Sequence, residues 1–185
     1  MLMTKVKFTT PSGQAIYPWL QPGRPDTAFD PEGKYKVQLR MDAKSAQSLI
    51  DEIKQVKIDA FGVKDQCHMP FSTDEETGEI IFKIQSKYQP KYVDASGNPI
   101  PDNKVPSMFG GSTLRASGIL DPYNKNGKGV SMRLGAIQII NPVSGSGGDA
   151  GFDAVEGGYT VEDNTDYVPE FQNQQEEETT EAHDY

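Results

Sequence analysis

All 18 basic residues of this 185-residue chain lie before Asn141, and that limits what the chain can fold. Residues 1–140 carry those 18 and 15 acidic residues, a net of 18 − 15 = +3. Residues 141–185 carry 12 acidic residues and no Lys or Arg, so they contribute −12 to the overall −9. This second segment also has few large apolar residues and a glycine cluster, SGSGGDAGF. It cannot bury enough surface to offset roughly 1–2 kcal/mol of backbone entropy per residue. The expectation is one folded domain over 1–140, long enough for a single core, and a flexible acidic tail over 141–185. Net acidity then belongs to the tail. It does not argue against a polyanionic partner for the mildly basic body.

The single cysteine, Cys67, rules out an intrachain disulfide framework. The opening MLMTKVKFTTPSG has no long apolar core and no cleavage pattern, and no stretch approaches roughly 18 apolar residues. A soluble protein of a reducing cytoplasm, with no membrane partner, is expected.

Along the body, KVKFTT reads as a short alternating strand. PSGQAIYPWLQPGRPDTAFDPEG, dense in Pro and Gly, reads as a long loop anchored by Trp19. GKYKVQLRM alternates cleanly: Tyr35, Val37, Leu39 and Met41 fall on one face, Lys34, Lys36, Gln38 and Arg40 on the other. One helix is predicted in DAKSAQSLIDEIKQVKIDAFG, with Asp42 as N-cap and Gly62 just past its end. Ala46, Leu49, Ile50, Ile53, Val56, Ala60 and Phe61 form its core-facing stripe.

MPFSTDEETGEIIFKIQSKY reads as a hairpin turning near Thr77 and Gly78, with Ile80, Phe82 and Ile84 inward and Ile81, Lys83, Gln85 and Lys87 outward. VDASGNPIPDNKVP is a turn-rich excursion. STLRASGIL and GVSMRLGAIQII are two further strands joined by DPYNKNGKG. About five or six strands, one helix and no βαβ alternation predict a mainly β protein, a small antiparallel barrel or sandwich.

Catalytic and metal chemistry find little support. Cys67 and His68 are adjacent and the only other histidine is His183, which does not make the four spaced ligands of a zinc site. GGSTLRASG and NGKGVS match neither phosphate-binding glycine motif. Asp74, Glu75 and Glu76 share a loop tip, which supplies no common burial to shift their pKa values apart. The reading is a binding protein, not an enzyme, with no metal and no cofactor.

What the body does offer is cations beside rings. Lys34, Lys36 and Arg40 share one strand face, Lys83 and Lys87 another, and Arg115 and Arg133 sit in the last two strands. Lys and Arg ordinarily occupy solvated faces, so charge alone decides nothing. Tyr17, Trp19, Tyr88, Tyr92, Phe109 and Tyr123 lie in loops or at strand ends, near Arg24, Lys87, Lys91, Lys125 and Lys128. A cationic groove lined by rings suits a single nucleic-acid strand, whose phosphates want charge and whose bases each offer a π-face. The plain alternative for each ring is packing. Tyr35 and Phe82 are core by parity, and Trp19 between prolines equally fits a loop plug. A tethered polyanion would compete for such a groove at an effective concentration on the order of millimolar. Glu176, Glu177, Glu178, Glu181 and Asp184 supply its charge, and Tyr185 adds a ring for a stacking pocket or a partner's pocket.

The ordered series GKYKVQLRM, LIDEI in the helix, MPF, FKI, VPSMFGGSTLRASGILDPY, GVSMRLGAIQII and an acidic tail closing on an aromatic resembles one family. It is the gene-two-point-five group of single-stranded DNA-binding proteins of tailed phages, and the resemblance covers nearly the whole chain. The resemblance implies an OB-fold, a five-stranded antiparallel Greek-key barrel with one capping α-helix and a disordered acidic C-terminal tail. It implies sequence-independent binding of single-stranded DNA in phage replication, recombination and repair, in the cytoplasm of the infected bacterium. It further implies tail contacts to the replicative DNA polymerase and helicase, and homodimers. The family's tail ends on phenylalanine, whereas Tyr185 keeps the ring and adds a hydroxyl. The loop before MPF is short, which reduces any binding surface there. Two readings compete: a DNA-mimic or regulatory protein whose acidic tail binds a basic partner, and a structural virion protein.

Overall fold

The computed structural model describes residues 5–143, so the acidic tail and the residues assigned to it lie outside the described residues. The elements run β1 (Val6–Thr9), β2 (Gly13–Trp19), β3 (Tyr35–Met41), α1 (Ala43–Phe61), β4 (Phe71–Thr73), β5 (Ile80–Ser86), β6 (Lys91–Val93), a short 3-10 turn (Asp102–Lys104), β7 (Thr113–Asn124) and β8 (Lys128–Asn141). Five of the strands close on themselves. β7 pairs β2, β2 pairs β3, β3 pairs β5, β5 pairs β8, and β8 returns to β7. The β5–β8 seam is parallel and the other four are antiparallel. This ring is the predicted OB-type barrel. Strands β1, β4 and β6 extend it from outside, bringing the total to eight.

Alternation places the core as the sequence predicts. Tyr35, Val37, Leu39 and Met41 are buried from β3, and Ile80, Phe82 and Ile84 from β5. Leu114, Ala116 and Leu120 from β7 meet Met132, Leu134 and Ile137 from β8 inside the ring. The helix begins where Asp42 accepts the Ser45 N–H at 3.1 Å, and it ends at Gly62, whose φ of 90° few side chains tolerate. Its buried stripe of Ala46, Leu49, Ile50, Ile53 and Val56 packs toward β1, β7 and β8.

Three expectations need correction. Residues 13–19 are a strand, not part of a long loop. Pro18 hides the signal. It sits between Ile16 and Trp19, where the ladder to β3 shifts register, so its missing N–H breaks no pairing. The buried anchor there is Leu20, 1% exposed, while Trp19 is 38% exposed. The connection DPYNKNGKG is largely strand, because β7 and β8 stay paired as far as Asn124 and Lys128. KYV, just before the turn-rich excursion, forms the short strand β6.

Gly118 is where the long hairpin depends on a missing side chain. A Cβ there would stand 1.8 Å from the Arg133 carbonyl oxygen, at a register shift between β7 and β8. Gly118→Ala is therefore expected to destabilise the barrel by at least about 3 kcal/mol, the upper range for overpacking. Urea denaturation checks it. A midpoint equal to the parent's would show that the backbones do not approach so closely.

Candidate nucleic-acid interface

Outside the barrel, the register shift in β2 sets the site. Tyr17 sits within it at a φ of 46°, a conformation that costs a non-glycine residue about 1–3 kcal/mol. The distortion turns Tyr17 outward, 77% exposed, next to Trp19. Phe29, 80% exposed, stands on the loop between β2 and β3.

That loop is organised by one buried carboxylate. Asp26 Oδ1 accepts the N–H groups of Ala28 at 2.9 Å and Phe29 at 3.3 Å, and Oδ2 pairs with Lys36 Nζ. Asp26 and Lys34 also exchange two backbone hydrogen bonds, at 2.8 and 3.1 Å. Lys36 in turn lies 5.4 Å from the centre of the Phe29 ring. The hydrogen bond from Lys36, followed by those from the loop backbone, holds the Asp26 carboxyl below its ordinary pKa of 3.8 against the opposing effect of desolvation.

Four clefts adjoin one another around this face. A cavity of about 450 Å³ is lined by Tyr17, Trp19, Phe29, Lys36, Gln38 and Lys83. Tyr17 and Trp19 also wall a larger one, about 670 Å³, shared with Leu20, Arg24, Met108 and Phe109. Lys83 leads to a small cleft of about 160 Å³ holding His68, Gln85, Tyr123 and Ser131. Gln85 and Ser131 lead on to a fourth of about 350 Å³ with Lys34, Lys87, Tyr88 and Arg133. Rings and cations thus alternate along one path from the 107–110 loop, across β2, β3 and β5, to β8.

The sequence-predicted residues divide on this path. Tyr17, Trp19, Arg24, Lys34, Lys36, Lys83, Lys87, Tyr88, Phe109, Tyr123 and Arg133 line it. Arg40, Lys91, Arg115, Lys125 and Lys128 line none of the four clefts. Tyr92 is a correction. Its alternation in β6 turns it inward, where it is 3% exposed and donates its hydroxyl to the Leu20 carbonyl. Burial pushes its pKa up, and the ring offers no free face.

Many of the cations are already partnered. Arg40 meets Asp74 at 3.2 Å, Lys87 meets Glu32 at 2.5 Å, and Lys34 meets Asp30 at 3.0 Å. Lys128 pairs with Asp65, and Arg133 with Asp121. Arg115 donates to the Thr10 carbonyl at 3.0 Å and to Gln138 at 3.3 Å, fastening β7 to its neighbours. Among the described residues Arg24, Lys83, Lys91 and Lys125 have no carboxylate within salt-bridge distance, and of these Arg24 and Lys83 line the path. Phe29 is the ring that sequence reasoning missed. An aromatic three residues after an Asp in a polar loop, the pattern of an Asx turn, was the available signal.

Solved structures of phage proteins share this barrel. The crystal structure of gp2.5, a single-stranded DNA-binding protein encoded by bacteriophage T7, matches with a TM-score of 0.63 and 26% identity, covering 85% of this chain and 100% of that one. The single-stranded DNA-binding protein of bacteriophage Enc34, as a C-terminal truncation, matches with a TM-score of 0.58 over 78% of this chain and 93% of that one. The same Enc34 protein in complex with single-stranded DNA matches with a TM-score of 0.58, over 75% of this chain and 88% of that one. Both Enc34 comparisons stand at 14% identity and speak to the fold alone. No protein-family model matches the chain, and no curated protein does.

The loop that carries Phe29 should be acid-sensitive through Asp26. A carboxyl whose pKa is lowered by folding contributes fully above its ordinary value and ceases to contribute as pH falls through the lower, folded one. Asp26→Asn should therefore be less stable than the parent at neutral pH, and should lose less stability between about pH 5 and pH 2. Thermal melts across that range check it. Parallel losses in both proteins would show that the Asp26–Lys36 pair is not formed.

Proposed function

We propose that this chain, which resembles the gene-two-point-five group of phage single-stranded DNA-binding proteins in fold and in order of elements, coats single-stranded DNA without regard to sequence. The path of alternating rings and cations on the outside of the barrel carries the reading. A single strand laid along it stacks unpaired bases on Tyr17, Trp19 and Phe29, worth about 1–3 kcal/mol per base. Lys83 and Arg24 meet its phosphates. Every base has a π-face, so stacking tolerates any sequence. A duplex keeps its bases paired and reaches only the cations, so it binds far more weakly.

The role is passive: the protein removes hairpins from the strand and presents it to replication, recombination and repair enzymes in the infected bacterial cytoplasm. The acidic segment beyond Asn141 competes with DNA phosphates for the same face. Through Glu176, Glu177, Glu178, Glu181, Asp184 and Tyr185 it recruits the replicative polymerase and helicase, and homodimers belong to the same reading. The support for these roles is the charge segregation and the family resemblance.

The test is fluorescence anisotropy of a labelled oligo-dT at two salt concentrations, with the full chain and with residues 1–143. Salt-sensitive binding that tightens on truncation is expected. Equal binding by both forms would remove the competition and keep the groove. Absence of binding by either would overturn the reading in favour of a basic protein partner. In the same titration Lys83→Ala should shrink the slope of log K against log salt by about 0.7, one phosphate contact on a single strand. An unchanged slope would remove Lys83 from the path.

A further inference from the structure

The cleft of about 670 Å³ beside β2 is walled in part by residues 107–110, a stretch outside every strand and helix. Such a stretch positions a ring only if something holds it. Met108, 4% exposed, sinks into the core beneath, and Gln21 Nε2 donates to the Pro106 carbonyl at 3.2 Å. The remaining restraint comes from the chain just past β8, whose last residue pairs with the first of β7. The Phe109 N–H donates to the Val143 carbonyl at 3.0 Å, and the Val143 N–H donates to Ser112 Oγ at 2.8 Å.

Ser112 is a fully buried polar residue. Its own N–H returns to the Phe109 carbonyl at 3.1 Å, and its carbonyl accepts the Ala15 N–H of β2 at 2.8 Å. A buried serine whose hydroxyl, N–H and carbonyl all find partners forms a rigid junction, because releasing any one of them leaves a buried polar group unpaired. The junction therefore ties three things together: the start of β2, the loop that bears Phe109, and the chain just past β8.

We propose that this cleft is a nucleobase pocket with Trp19 and Phe109 as its walls, and that residues 141–143 are a strap that holds the Phe109 wall in place. The proposal rests on the single-stranded DNA reading and deepens it. An unpaired base fits the mostly apolar cleft. The cleft continues through Tyr17 and Trp19 into the cationic one beside it, so a strand can enter both. Arg24, with no carboxylate within salt-bridge distance among the described residues, lines this cleft and suits the adjoining phosphate. The strap also sets Val143, the last of the described residues, against the loop that forms the site. A barrel cut at residue 140 would lose it.

Val143→Pro in the full chain removes the N–H that reaches Ser112 and leaves every wall residue present. Its affinity, and that of Phe109→Ala, is measured for oligo-dT and for an abasic deoxyribose-phosphate oligomer of equal length. Each variant should lose about tenfold for oligo-dT, the scale of one stacked base, and nothing for the abasic oligomer. The double variant should be no weaker than Phe109→Ala alone. Parental affinity for oligo-dT in folded Val143→Pro would overturn the strap, and so would equal losses on both oligomers. If circular dichroism shows Val143→Pro unfolded, Ser112→Ala makes the same comparison by removing the acceptor. A parent that prefers neither oligomer overturns the stacking reading itself; a parent that prefers oligo-dT beside an unaffected Phe109→Ala overturns the Phe109 pocket, and beside an unaffected Val143→Pro alone overturns only the strap.

Discussion

Two narrow seams turn this sheet into a barrel. β2 meets β7 only at Gly13 and Gln14, and β5 meets β8 only at Ile84 and Gln85. Closure through them hides the backbone polar groups that an open edge would present and encloses one apolar interior. Everything outward is then free for other use. Because the β2–β7 seam stops at Gln14, the rest of β2 has no strand on that side. The 107–112 loop covers it instead, with Gly111 N–H on the Ala15 carbonyl at 2.9 Å. Two residues further on, the register shift against β3 turns Tyr17 outward.

Electrostatics and stacking carry unequal shares of the proposed binding. Surface ion pairs stabilise by roughly 0–1 kcal/mol each, so the pairs on Lys34, Lys87 and Arg133 contribute little to folding. They do stand in the way of phosphates, which must displace a carboxylate to reach the same nitrogen. Among the described residues Tyr17 and Trp19 face no such competitor, whereas Phe29 has Lys36 5.4 Å from its ring centre, and each stacked base contributes about 1–3 kcal/mol. In the proposed binding, a face whose cations are largely committed and whose rings are largely exposed draws more on unpaired bases than on phosphates. The proposed binding thereby separates a single strand from a duplex.

What could be read from the sequence was whatever alternates. The facing rows of β3 and β5 and the stripe of α1 were legible because burial on one side imposes a period. β2 was not, because Pro18 and Gly13 obscure its pattern and the strand is defined by a ladder to residues far along the chain. Tyr92 failed for a related reason: in a three-residue strand, parity has nothing to count against. The clefts were legible only as composition, cations near rings. Which cations are committed to Asp26, Asp30 or Glu32 depends on a loop fold that no periodicity encodes. The role of Ser112, one serine among many, required the three-dimensional junction.

The central claim is that bases stack on the rings displayed by β2, and the chain carries its own reporter. Trp19 is its single tryptophan and is 38% exposed in the wall shared by the two larger clefts. Titration of the protein with oligo-dT, followed by intrinsic tryptophan emission, tests the claim most directly. Saturable quenching by the single strand, absent with a duplex of equal length, is the expected result. Oligo-dT that binds and leaves the emission of Trp19 unchanged would contradict the account.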